Sequence, residues 1–125
     1  MVKMDKNRIG KDKFLPPIEA VNNAKMGLMF RKKYHRGGLD IDMAKSLGID
    51  SGITRAMQII SGKPLGIEIV RKMARFNRHR RNFRPEIMMK DGGPTSGTIA
   101  WLLWGGNEGI DWAISVSKNL RNPRQ

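Results

Sequence analysis

Between residues 71 and 84 the chain reads RKMARFNRHRRNFR, with Arg71, Lys72, Arg75, Arg78, Arg80, Arg81 and Arg84 and no acid among them. Residues 31–36, RKKYHR, add Arg31, Lys32, Lys33 and Arg36, again without an acid. Cations this dense repel one another, and ionic contact with a polyanion such as a nucleic-acid backbone relieves that repulsion. A merely solvated helix face interleaves Glu and Asp among its Lys and Arg, and here there is no interleaving. The residues expected to carry a nucleic-acid contact are therefore Arg31, Lys32, Lys33, Arg36, Arg71, Arg75, Arg78, Arg80 and Arg81. Tyr34, Phe76 and Phe83 lie among these cations, where a ring can stack on a base, although Phe76 fits better turned inward with Met73.

The rest of the chemical inventory is thin. The chain has 24 Lys+Arg against 11 Asp+Glu, a formal charge of +13, which speaks to partners more than to fold. Cysteine is absent and His35 and His79 are the two histidines, which excludes disulfides, thiolate metal sites and a cysteine nucleophile. The acids are scattered without metal-ligand spacing, so no metal, no cofactor and no enzyme activity is expected. GGPTSGT and WGGNEG lack the lysine-hydroxyl pair of a phosphate-binding loop and read as caps and turns. Trp101, Trp104 and Trp112 are expected in the core, since the first two sit in IAWLLW beside Ile99, Leu102 and Leu103.

The elements that position these residues follow from hydrophobic spacing. A chain of 125 residues, 39% hydrophobic, forms one domain. Residues 1–15 read as a flexible basic arm and residues 16–122 as a single helical domain. Val21, Ala24 and Leu28 mark one face of a first helix over about 17–35, and two short helices follow, capped by Asp40 or Asp42 and by Asp50 or Ser51. After Pro64 the basic helix turns Ile67, Val70, Met73 and Ala74 inward. Residues 82–95, with Pro85, Gly92, Gly93 and Pro94, form a loop. Thr95 or Ser96 caps the apolar IAWLLW helix, and a last helix from Asn107 buries Ile110, Ala113, Val116 and Leu120. No segment alternates as a strand, so the fold is expected to be all-α, a compact bundle of about five short helices with a basic N-terminal arm. No apolar run is long enough for a membrane span, and the N-terminus lacks a signal-peptide centre.

Taken in order, NAKMGLMFRKKYHRGG, SGITRAMQIISGKPL, IVRKMARFNRH and PTSGTIAWLLWGGNEGIDWA resemble a small module of bacteriophage and prophage proteins, found alone or attached to head-assembly proteins. The resemblance covers most of residues 16–115 and implies a phage or provirus origin, hence the host cytoplasm or the virion; it carries no catalytic residues. LDIDMAKSLGID stands as an insertion after Gly38, and Gly66 replaces a helix-capping serine of the module. Across that insertion, DIDMAKSLGIDSGITRAMQII has the outline of a helix-turn-helix, with Ala44 and Gly48 as small and turn residues and Ile53 and Met57 packed. Thr54, Arg55 and Gln58 would then face outward, but the spacing after the turn is one residue off, which favours two core helices. The function expected is DNA binding through phosphates with weak sequence preference. The alternative is a virion structural protein, a capsid or head accessory, whose basic face meets packaged genome or an acidic coat surface.

Overall fold

Small side chains decide how closely the helices approach one another. In the computed structural model, which describes residues 13–121, helix α1 (Ile18–Tyr34) buries Ala20, Ala24 and Gly27 along one stripe. A Cβ at Gly27 would stand 2.8 Å from the Leu103 backbone nitrogen, and one at Gly109 would stand 2.9 Å from the Ala20 Cβ. Larger residues forbid such approaches, and α1 accordingly lies directly against α5 (Ser96–Leu103) and α6 (Gly106–Arg121). The core face of α1 is thus rotated from the expected Val21, Ala24 and Leu28. Val21 and Leu28 sit half-buried at its edges, because the face is chosen by closeness of approach rather than by side-chain size.

Three of the other helices, α2, α3 and α5, begin where short polar side chains satisfy free amides. Asp40 Oδ1 accepts from the Met43 N–H at 2.7 Å at the head of α2 (Ile41–Ser46), and Ser51 Oγ accepts from the Thr54 N–H at 3.0 Å at the head of α3 (Gly52–Ile60). Thr95 does the same for α5, accepting from the Thr98 N–H at 3.1 Å. Helix α4 (Ile67–Arg75) turns Val70 and Met73 inward, and α6 turns Ile110, Ala113 and Val116 inward. Ile67, Ala74 and Leu120 pack at the rim of the same core.

The described residues are therefore all-α in character, with six α-helices, in keeping with the expected bundle of about five. One small antiparallel ladder is added, β1 (Lys13–Phe14) on β2 (Leu65–Gly66), and Phe14 and Leu65 are both buried. The fold reaches back to Lys13, so residues 13–15 of the arm expected over 1–15 belong to it; residues 1–12 lie outside the described residues. None of the described helices is long and apolar enough to cross a membrane. Of the three tryptophans expected in the core, Trp101 is fully buried and donates its Nε1–H to Asn107 Oδ1 at 2.9 Å, whereas Trp104 and Trp112 are half-buried. The fully and partly buried rings should differ in stability cost. Trp101→Ala is expected to lose about 3–5 kcal/mol in a urea titration and Trp104→Ala roughly half as much; equal losses would contradict the burial difference.

Candidate nucleic-acid interface

The cationic segment changes its winding partway. Helix α4 ends at Arg75 and the chain continues as a 3₁₀ segment, Phe76–Asn82, where the sequence leads one to expect a single helix. The Phe76 ring lies 4.3 Å from the Trp104 ring and parallel to it within 4°, and 6.0 Å from Trp101. Phe83 lies 6.3 Å from Trp101. Both phenylalanines are thus held on the tryptophans of α5 and its C-terminal cap, and the chain between them runs in the more extended 3₁₀ form, which rises about 2.0 Å per residue against about 1.5 Å for the α-helix.

This winding sorts the cations. Arg80 folds over the Trp101 ring at 5.0 Å, donates to Asn77 Oδ1 at 2.7 Å and pairs with Asp111 of α6. Lys72 pairs with Asp50 at 2.8 Å and Arg84 with Glu86 at 2.6 Å. The stretch 71–84 carries no acid of its own, yet the fold brings three to it, so its self-repulsion is lower than the sequence alone implies. Arg71, Arg75 and Arg81 are exposed and make no ion pair or hydrogen bond among the described residues, and the exposed Arg78 donates only to its neighbour, Nε to His79 Nε2 at 3.1 Å. Positions 71, 75, 78 and 81 follow one another at spacings of four, three and three, which keeps them on one stripe through the α to 3₁₀ change.

The first cationic segment is divided in the same way. Arg36 clamps the Asp91 carboxylate with Nη1 and Nη2 at 2.6 and 2.9 Å, donates from Nε to the Pro94 carbonyl at 2.9 Å, and lies 5.2 Å over the Tyr34 ring. It holds the 91–94 turn against the end of α1 and is a structural residue, as Arg80 is. Arg31 is half-buried, with its Nε enclosed and unpartnered. Lys33 sits over Tyr34 at 5.3 Å, and Lys32 is exposed. Of the nine expected contact residues, Lys32, Lys33, Arg71, Arg75, Arg78 and Arg81 remain open to a partner.

Two residues that matter to this surface were missed or misread in the sequence. Arg55, an outward residue in the helix-turn-helix outline, is only 1% exposed. Its Nη2 donates to Asp50 Oδ2 at 2.7 Å, its Nη1 donates to Gln58 Oε1, and its guanidinium lies 4.9 Å over the Trp104 ring. Met57, which that outline packs inward, is exposed instead. An arginine turned into the core cannot read a base edge, so residues 39–61 do not present that motif's reading face. Asp50 is the second: it joins Arg55 of α3 to Lys72 of α4, a bridge no local spacing reveals.

The charges respond to these contacts. Lys72 above all, then Arg55, holds the Asp50 carboxyl below its ordinary value, and burial pushes the Arg55 guanidinium down against the pull of Asp50. Arg36, then the Gly93 amide, lowers the Asp91 pKa to about 2. No cluster of three or more His, Asp or Glu side chains able to hold a metal occurs among the described residues. No family model, no curated protein and no solved structure matches the chain. The Asp91 clamp gives a direct check. A folded-state pKa below the ordinary 3.8 means that the pair's contribution is complete above that value and is lost as pH falls through about 2. Carboxyl NMR titration of Asp91 should show a midpoint near 2 in the parent, returning toward the ordinary value in Arg36→Ala; an unchanged midpoint would mean the clamp is not formed in solution.

Proposed function

We propose that the chain binds duplex DNA mainly through phosphates, with weak sequence preference, as a small basic helical protein of the bacteriophage type its sequence resembles. The observation that carries this reading is the stripe Arg71, Arg75, Arg78 and Arg81, four exposed guanidiniums without an acid partner among the described residues. One α-helical turn followed by two 3₁₀ turns sets the ends of the stripe about 18 Å apart. At 3.4 Å of axial rise per phosphate of one strand, that length faces about five backbone charges. Lys32 and Lys33 at the end of α1 add two more exposed cations. Phosphate contacts fix register without reading bases, and Arg55 is withdrawn into the core, so little sequence preference is expected. No catalytic step, metal or cofactor forms part of the reading.

A second reading has its own support. Leu39, Ile41, Met43, Leu47 and Ile49 are all exposed on α2 and immediately beside it in the chain, and apolar groups gathered in this way mark protein interfaces. In that reading the chain is a virion component, a capsid or head accessory, and its basic stripe meets packaged genome or an acidic coat surface.

Salt dependence separates phosphate binding from other modes. The log–log slope of affinity for a short duplex against salt should be roughly −4, and Arg75→Ala with Arg78→Ala should make it shallower by about 2, equally for unrelated sequences. Arg80→Ala should leave the slope nearly unchanged, because that guanidinium already serves Asp111. Affinity that is flat from low to moderate salt would remove the reading. Co-purification with particles, with duplex binding absent, would put the virion reading in its place.

A further inference from the structure

Two adjoining cavities lie at the edge of the Phe76–Trp104 stack, one of about 280 Å³ and one of about 330 Å³, and both are lined by Ile49, Asp50, Phe76 and Trp104. The smaller has an almost uncharged wall: the backbones of Gly37, Gly38, Gly52 and Gly97, with Asn82 and His79 at its side. The larger is walled by Lys72, Arg75 and Arg78. Asp50 reaches both, but its charge is already matched by Arg55 and Lys72, which leaves the larger cavity net positive.

Of the polar groups of the smaller cavity, Asp50, Ser51 and His79 already have partners, whereas Trp104 Nε1 and the Asn82 side chain make no hydrogen bond among the described residues. Trp104 has one face on Phe76 at 4.3 Å and also carries the Arg55 guanidinium at 4.9 Å, so its indole edge is what remains for a ligand. Its Nε1 donates no hydrogen bond among the described residues, and a Cβ at Gly52 would stand 3.5 Å from it, which sets Nε1 on the Gly52 wall. The Asn82 side-chain amide, with a donor and an acceptor, is likewise unpartnered among the described residues, and Gly97 fits closely beneath it: a Cβ there would stand 2.9 Å from the Asn82 Cβ. A small, largely apolar cavity with a few convergent polar groups is the usual form of a small-molecule site. Here it adjoins a pocket of three cations. A flat ring with a hydrogen-bonding edge, joined to a phosphate, has the chemistry that suits both halves.

We propose that the paired cavities hold one unstacked nucleotide, its phosphate among Lys72, Arg75 and Arg78 and its base edge against Trp104 Nε1 and Asn82. The inference rests on the phosphate-binding reading, since Arg75 and Arg78 belong to the same stripe. A base paired within a duplex is stacked and cannot enter, so the source is either a free nucleotide or an unpaired nucleotide of a strand.

The test uses the full chain. Its indole N–H resonances are followed on adding dAMP or inorganic phosphate, and its affinity is compared for a blunt duplex and the same duplex with one unpaired terminal nucleotide. The Trp104 indole should shift with dAMP and not with phosphate, and the unpaired nucleotide should tighten binding about fivefold to tenfold, as one or two added hydrogen bonds would. Asn82→Ala, an exposed change, should reduce that gain while leaving the blunt-duplex affinity alone. A dAMP shift without the gain supports the site with the free nucleotide as its ligand. Equal shifts with phosphate and dAMP, or no shift and no gain while blunt-duplex binding persists, overturn the nucleotide site and leave phosphate binding standing. Loss of duplex binding altogether overturns both.

Discussion

A single buried guanidinium constrains the rest of this fold. Arg55 is almost fully enclosed, and a charge in that position is tolerated only when it is paired and hydrogen-bonded. Its partners come from three places: Asp50 before α3, Gln58 one turn along, and the face of Trp104 at the end of α5. Asp50 also holds Lys72, so one carboxylate links the core side of α3 to the outer face of α4. That linkage adds a polar tie between α3 and α4 to the apolar packing that seats α4 on α6.

From Trp104 the constraint passes to the surface. Its ring stacks on Phe76, the first residue of the 3₁₀ segment, and Trp101 is met by Phe76, Phe83 and the guanidinium of Arg80. These aromatic contacts fix where the α-helix gives way to the 3₁₀ winding. The winding then decides which cations turn back toward acids and which form the open stripe. A basic surface of this kind is set by core packing: moving Phe76 would re-sort the arginines without changing the net charge.

Much of the fold was legible in the sequence because it is local. Asp40, Ser51 and Thr95 cap helices through contacts three residues away, and Ile110, Ala113 and Val116 recur at helical spacing, so the helix starts and the α6 stripe could be read directly. The face of α1 could not, since burying Ala20, Ala24 and Gly27 depends on how near Leu103 and Gly109 come, which is a tertiary fact. The candidate site was half legible. The density of cations marks segments 31–36 and 71–84, but Arg36 and Arg80 are claimed by Asp91 and Asp111, which lie 55 and 31 residues away in the chain. Arg55 was misread because an arginine is ordinarily a surface residue, and its burial depends on a carboxylate whose role no periodicity reveals.

If Arg55 and Asp50 are the constraint described, removing one must cost more than removing both. Chemical denaturation of Asp50→Ala, Arg55→Met and the double variant measures this directly. Because Asp50 is itself 38% exposed, its loss is expected to destabilise by about 2–3 kcal/mol, less than for a fully enclosed pair, by leaving the Arg55 charge buried without its carboxylate. The double variant, with an apolar side chain of similar length in the same place, should recover most of that loss. Single and double variants that all match the parent, or losses that simply add, would contradict the claim that this buried pair holds the fold and its basic face in place.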